Sequence, residues 1–322
     1  MRMNRRAFLA LAMASCAAAA SAQTYPARPI RLVVPFPPGG GTDQIARALG
    51  NTLTTTLGWT IIVDNKPGAG GNIGVDAVAK APADGYTLVI GQTSNLAINP
   101  TLYAKLPYDP VKDLAPVSLT ASAPLVLVVA ANSPYKTLAD AVSAAKAKPG
   151  EINFASPGNG TVAHLAAELF QKAAGIRLQH VPYRGSNQAL TDLTGGQVQL
   201  FMASVPTAIP QLRAGKLRAL AVTAAKRVDD LPQVPTVAES GYGGFEASTW
   251  FGLLAPAATP KDIVSKLHTE VNKALQQPEL RKQINDSGAD VTGSTPEQFA
   301  ALIRDEVVRW GRVVRESGAK VD

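Results

Sequence analysis

Residues 31–50 read RLVVPFPPGGGTDQIARALG. The apolar run Ile30–Pro35 has strand character; it stops at two prolines and three glycines, and a helical pattern opens at Thr42 and runs to Leu57. Strand, glycine-rich turn and helix form the repeating unit of α/β folds. The same unit makes a kind of site. Glycines let a backbone approach a ligand closely, while the unpaired N–H groups of a helix's first turn, reinforced by its dipole, favour an anion.

The unit recurs. Residues 156–175, SPGNGTVAHLAAELFQKAAG, follow a strand at Ile152–Ala155 and open an amphipathic helix with Val162, Leu165, Leu169 and Ala173 on one face. Thr42 and Thr161 are each expected to cap the helix that they begin. Two such loops in matched positions suggest two lobes gripping one anion. Neither has the lysine that a nucleotide P-loop requires after its last glycine.

Other strands read at Thr60–Asp64 and Tyr86–Gly91, with a helix ending at Ala79 between them, and the second strand leads into Gln92-Thr93-Ser94-Asn95. Near residue 124 the pattern starts again. Leu125–Ala130 reads as a buried strand, followed by a helix to Ala147, strands at Gln179–Pro182, Val198–Met202 and Leu217–Val222, and a helix over Asn187–Leu193. A strand at Trp250–Ala255 precedes two helices. These open with Thr259-Pro260 and Thr295-Pro296, and Asp262 and Gln298 stand three residues after each cap. The last helix places Phe299, Leu302, Ile303, Val307, Trp310 and Val314 at helical spacing before Gly318.

The expected fold is α/β, in two lobes. Each lobe is a mostly parallel sheet flanked by helices, with ligand in the cleft between. Residues 23–123 plus 226–322 are assigned to the first lobe and 124–225 to the second. No Gly/Ser tether lies near residues 110–130, so the lobes are expected to join through crossing segments.

Composition narrows the classes. The chain has 322 residues, 46% hydrophobic and 17% charged, as a folded globular protein should. Residues 1–22 read as a secretory signal peptide: Arg2, Arg5 and Arg6, an apolar stretch from Ala7 to Ala20, then Ala20-Ser21-Ala22. Sec and Tat export both fit, and Cys16 also permits a lipoprotein reading, weakened by Met13. Removing this segment takes away the only cysteine and lowers the formal charge from +7 to +4, since three arginines and no acids lie in it. Disulfides, thiol nucleophiles and thiolate metal sites are then excluded. No run of Lys or Arg suggests nucleic acid.

Three other motifs carry chemistry in principle. Gly68-Ala69-Gly70-Gly71-Asn72-Ile73-Gly74 sits where a dinucleotide loop would, but its spacing is not G-x-G-x-x-G and no ribose-binding acid follows at the right distance. His164 and Glu168, four apart, read as a helix-surface pair rather than metal ligands, since no third ligand is in view. His268 is expected to be solvated. Arg184, in VPYRG, is expected either to neutralise a carboxylate or to pair with a surface acid.

Together these segments resemble the tripartite tricarboxylate transporter substrate-receptor family, also called Bug proteins. The matching stretches are YPARPIRLVVPFPPGGGTDQIAR, VDNKPGAGGNIG, APADGYTL, SPGNGTVAHLAAELF, VPYRG, LPQVPTVAESG and WFGLLAPAATP, in order along nearly the whole chain after residue 22. The resemblance implies a two-lobed, type II-like periplasmic-binding-protein fold that closes on a small carboxylate, a periplasmic location, and delivery to a membrane permease; a monomer without catalysis, cofactor or metal is expected. It implies ligand contacts at Phe36, Pro38, Gly39, Gly40, Thr42 and Asp43 on one side and Ser156, Gly158, Gly160 and Thr161 on the other. Asn72, Thr93, Ser94, Tyr183 and Ser204 would be wall contacts, with His164 and Arg184 nearby. Asp43 is expected to serve its helix's first turn rather than the ligand. The scarcity of acids in these loops favours a plain organic acid over an amino acid. A sensor role, or an exported enzyme using His164 or Arg184, are the competing readings.

Overall fold

The computed structural model describes residues 25–321, so the signal-peptide reading lies outside the described residues. Strands β1 (Ile30–Val34), β2 (Ile61–Asn65) and β3 (Thr87–Gln92) form a parallel trio with β1 in the middle. Helices α1 (Gly41–Leu57) and α2 (Asn72–Ala79) connect them. β3 leads directly into a buried π-helical turn, Ser94–Ile98, and the short helix α3 (Asn99–Leu102).

The next strand, β4 (Leu114–Ala130), is 17 residues long and belongs to both lobes. Its first part pairs antiparallel with β9 (Ser248–Pro256), which pairs antiparallel with β3. Its second part pairs with β7 (Leu200–Ser204) and β8 (Leu217–Val222), also antiparallel. β5 (Asn153–Ser156) joins β6 (Gln179–Pro182) and β7 in a second parallel trio. Helices α4 (Leu138–Ala147), α5 (Val162–Ala174), α6 (Ser186–Thr194) and α7 (Val205–Arg213) surround it. The architecture is a two-lobed α/β fold whose curled mixed sheet is continuous through β4.

The strand expected at Leu125 therefore starts eleven residues earlier. Pro116 and Pro124 hide it from a pattern search; Pro116 is accommodated where the pairing with β9 shifts register before Ser118, and Pro124 stands at the last pair with β9, opposite Ser248. Two helix starts also differ from expectation. α1 is capped by Gly40, placing Thr42 inside its first turn. Helix α8 (Lys261–Leu275) is capped by Pro260, and the Thr259 hydroxyl donates backward to Pro256 O instead.

After α8 come α9 (Pro278–Asn285), the two-residue strand β10 (Asp290–Val291) on β4, and α10 (Pro296–Ser317). Thr295 and Gln298 form the expected capping box of α10. α10 packs on the Ser94–Ile98 turn and α3 of one lobe and on α5 of the other. Its Phe299 ring would lie 2.1 Å from a Cβ on residue 252, so only glycine fits there in β9. Two turns on, buried Glu306 accepts the indole N–H groups of Trp250 (3.1 Å) and Trp310 (2.9 Å). Each indole thereby finds the partner that a buried Trp needs.

Candidate functional site

The first loop is held from beneath. Asp43, 3% exposed, accepts from Gly39 N (2.9 Å), Arg47 Nε (2.9 Å) and Asn65 Nδ2 (2.9 Å). Asn65 Nδ2 also reaches Phe36 O (3.0 Å), fixing the loop's entry. Burial alone would raise the Asp43 carboxyl, but the bonds from Arg47, Gly39 and Asn65 outweigh it and hold it below the usual carboxylate range. The acid is spent inside the loop, and the first-turn N–H groups of α1 face outward without a side-chain cap.

The second loop rests on aromatic rings. Thr161 caps α5 through His164 N (3.3 Å), and Gly160 N donates to His164 Nδ1 (3.2 Å). The His164 ring stacks on His180 at 4.0 Å and 8°, and His180 stacks on Phe154 at 4.7 Å. His180 Nε2 lies 2.7 Å from Ser156 Oγ. Burial pushes His164 down to about 4 and, with the neighbouring imidazole adding to it, His180 down to about 3, so both rings are neutral near pH 7. His164 is thus a buried prop at 5% exposure and not half of a surface pair; Glu168 Oε1 is 3.8 Å away. The reason is the His180 ring of β6, which stacks on His164, and the Gly160 loop, which bonds its Nδ1. His268 is half-buried beside Ser294 O rather than fully solvated.

Between the loops lies a cleft of about 330 Å³. The N-cap residues of four helices line it: Gly40 of α1, Thr161 of α5, Gly185 of α6 and Ser204 of α7. Gly40, Gly185 and Ser204 form no side-chain cap bond, so those first turns keep N–H groups for a ligand. Phe36, Phe251, Leu125 and Pro157 supply apolar walls, and among the described residues no acidic side chain lines it. The lobes touch at its edges, where Asn187 Nδ2 donates to Pro38 O (3.3 Å) and Val162 N to Ser94 Oγ (3.2 Å).

Of the residues singled out in the sequence, Phe36, Pro38, Gly40, Thr42, Ser94, Thr161, Arg184 and Ser204 line this cleft. Gly158 and Tyr183 line an adjoining cavity together with Arg184. The others stand behind. Gly39 abuts Asn187; Asn72 Oδ1 accepts from Asn99 (2.6 Å) and Tyr108 (2.9 Å); Thr93 Oγ1 accepts from Trp250 N (3.0 Å). Ser156, Gly160, His164 and Asp43 belong to the loop supports described above. A Cβ on residue 160 would meet Leu102 Cδ2 at 2.1 Å, and its φ is +74°, so glycine is required where the lobes interlock.

The sequence places the start of α6 within one residue but gives it no role at the site, and the start of α7 is not read; Ser186, Asn187 and Thr207 therefore go unassigned, as do the floor residues Gln92, Leu125, Thr249 and Phe251. The signals were present: Arg184-Gly185-Ser186 after a strand, and Ser204-Val205-Pro206 with proline in a first turn. Among the described residues, no group of three or more His, Cys, Asp or Glu is placed to hold a metal, and no helix is long and apolar enough to cross a membrane.

A two-lobed α/β frame with four helix N-termini aimed into an acid-free cleft defines a binding protein for small anions. The chain belongs to the tripartite tricarboxylate transporter family receptors, whose family model matches residues 45–319. It is 44% identical to Protein BugT of Bordetella pertussis over 97% of this chain and 96% of that one. Among solved structures, the R. palustris protein Rpa4515 with adipate superposes with a TM-score of 0.89 at 38% identity, covering 92% of this chain and all of that one. MatC from Rhodopseudomonas palustris, with bound malate, gives 0.85 at 36%, covering 90% of this chain and all of that one.

Proposed function

We propose that this protein is a periplasmic receptor that closes its lobes on a small carboxylate and presents it to a membrane permease. The observation that carries the reading is the convergence of four N-caps on one cleft without an acidic side chain. N–H groups of Gly41 and Thr42, of Ala163, and of the α6 and α7 starts would take the carboxylate oxygens, with the Ser204 hydroxyl beside them, while Val162 N stays bonded to Ser94 Oγ. Phe36 and Phe251 would bound the ligand's carbon body. Asp43, Asn72, Thr93, Ser156, Gly160 and His164 would act as supports. The missing loop lysine argues against nucleotides, and the absence of an acid argues against an ammonium-bearing amino acid.

The relatives solved with adipate and malate support a carboxylate. Reading residues 1–22 as an export signal favours the periplasm. The Ser156–His180 pair has the form of a nucleophile and base. Ser156 has no exposed surface, however, and its hydroxyl is engaged with Gly158, which favours a structural role. The test is a thermal-shift screen of carboxylates, sugars and cations on protein unfolded and refolded to strip carried-over ligand. A carboxylate at a hundred times its dissociation constant stabilises by about 2.7 kcal/mol. Stabilisation by sugars or cations alone overturns the reading.

A further inference from the structure

The second lobe carries a groove that is separate from the cleft. It measures about 880 Å³, and none of its lining residues lines the cleft. Its back is β8, whose one strand partner among the described residues is β4. The other edge of β8 is closed at its last residue alone, where Val222 N donates to Pro235 O (2.9 Å) and Val222 bridges Thr236 in parallel. Over Leu217–Ala221 no backbone bond beyond the β4 ladder is made among the described residues, so the outward N–H and C=O groups of that stretch stand open, as at the edge of a sheet. Ile209, Leu212, Leu217, Leu231 and Val234 give the groove an apolar lining. Its charges are mostly positive. Lys136, Arg213 and Arg218 line it against one acid, Asp230, which Arg213 holds at 2.8 Å. Lys136 Nζ donates to Ser133 O (3.1 Å) and Arg218 Nη1 to Tyr135 O (3.3 Å), and carbonyl oxygens do not cancel either charge. Asp140 is taken by the amides of Lys136 and Thr137 in the capping box of α4.

We propose that this groove is a docking site for an extended segment of another polypeptide, with apolar side chains in its middle and acidic residues at its ends. The segment adds as a strand to the free edge of β8, where main-chain hydrogen bonds supply affinity. Its apolar side chains lie against Leu212, Leu217 and Val234. Three cations against one acid leave two positive charges on the groove, and these select a partner of negative sign, with Lys136 and Arg218 meeting its carboxylates. One helix joins the groove to the cleft: Ser204, the N-cap of α7, lines the cleft, and Arg213, its last residue, lines the groove. A partner seated on β8 therefore touches an element whose other end faces the ligand. Docking at this edge is independent of what the cleft binds.

The test is fluorescence anisotropy, at low salt, of a labelled peptide of about eight residues in which valine and threonine alternate between terminal glutamates. Two controls are the same peptide with lysine termini and the same peptide with alternate amides N-methylated, which cannot complete a ladder. The acidic peptide should bind about tenfold or more tightly than either control. Lys136 is exposed, so Lys136→Glu should keep the wild-type melting point while bringing the acidic-to-lysine ratio of affinities toward one. Hydrogen exchange should show new protection at the amides of Leu217–Ala221 when the acidic peptide is added. No binding of the acidic peptide, equal affinity for the controls, a ratio unaltered in Lys136→Glu, or no new protection on β8 overturns the docking site. Sedimentation of the protein alone covers the remaining occupant: a dimer that protects the β8 amides without peptide overturns it in favour of a second copy of this chain.

Discussion

Lowering the pH from 7.5 to 5 should unload the prop beneath the second loop. His164 and His180 have ordinary values near 6.5 when unfolded and are held at about 4 and about 3 in the fold. Their stabilising contribution is fully present above 6.5. It is lost as pH falls toward those folded values, because the unfolded chain takes up protons that the stacked rings refuse. From 6.5 to 5 each imidazole loses about 1.5 × 1.36, or about 2 kcal/mol, and the pair about 4 kcal/mol as an upper figure. Glu168, raised by burial, works in the opposite sense near its own range, so a variant comparison is needed. His180→Phe extends the existing Phe154 stack and removes one titration. Urea unfolding at pH 7.5, 6.5 and 5 should show the variant losing about 2 kcal/mol less than the wild type over that interval. Equal losses in both proteins would refute the assignment of neutral stacked imidazoles.

Two further outcomes follow from the geometry. Gly252→Ala drives a methyl into the Phe299 ring and should cost about 1–3 kcal/mol, read as a lower urea midpoint with an unchanged slope. Asp43→Ala strands Gly39 N and the Asn65 amide, costing about 1–3 kcal/mol, and weakens carboxylate binding by loosening the loop it anchors.

Much of this was legible in residues alone. The strand–glycine–helix unit at 31–50 and its repeat at 156–175 carried the fold and two of the four helix starts, because turn chemistry and periodicity are local. β4 was half-hidden, because it is buried on both faces and interrupted by Pro116 and Pro124, leaving no alternation to read. His164 reads as exposed because the ring that covers it, His180, belongs to a different element, β6. Asn72 sits at a helix start like a ligand contact, yet Asn99 and Tyr108 draw it inward. Such inward turns depend on tertiary neighbours, which spacing does not encode.

The account centres on an anion held by helix N-termini, and Ser204 tests this most directly. Ser204 is the N-cap of α7, lines the cleft and forms no cap bond to its own helix. Ser204→Asp should cap α7 at least as well, since Asp ranks with Ser at that position, while placing a negative charge where the carboxylate belongs. The measurement is carboxylate affinity by calorimetry alongside the ligand-free melting point. Affinity should fall by about tenfold or more, with a melting point equal to or above the wild type. Wild-type affinity in a folded Ser204→Asp protein would contradict it.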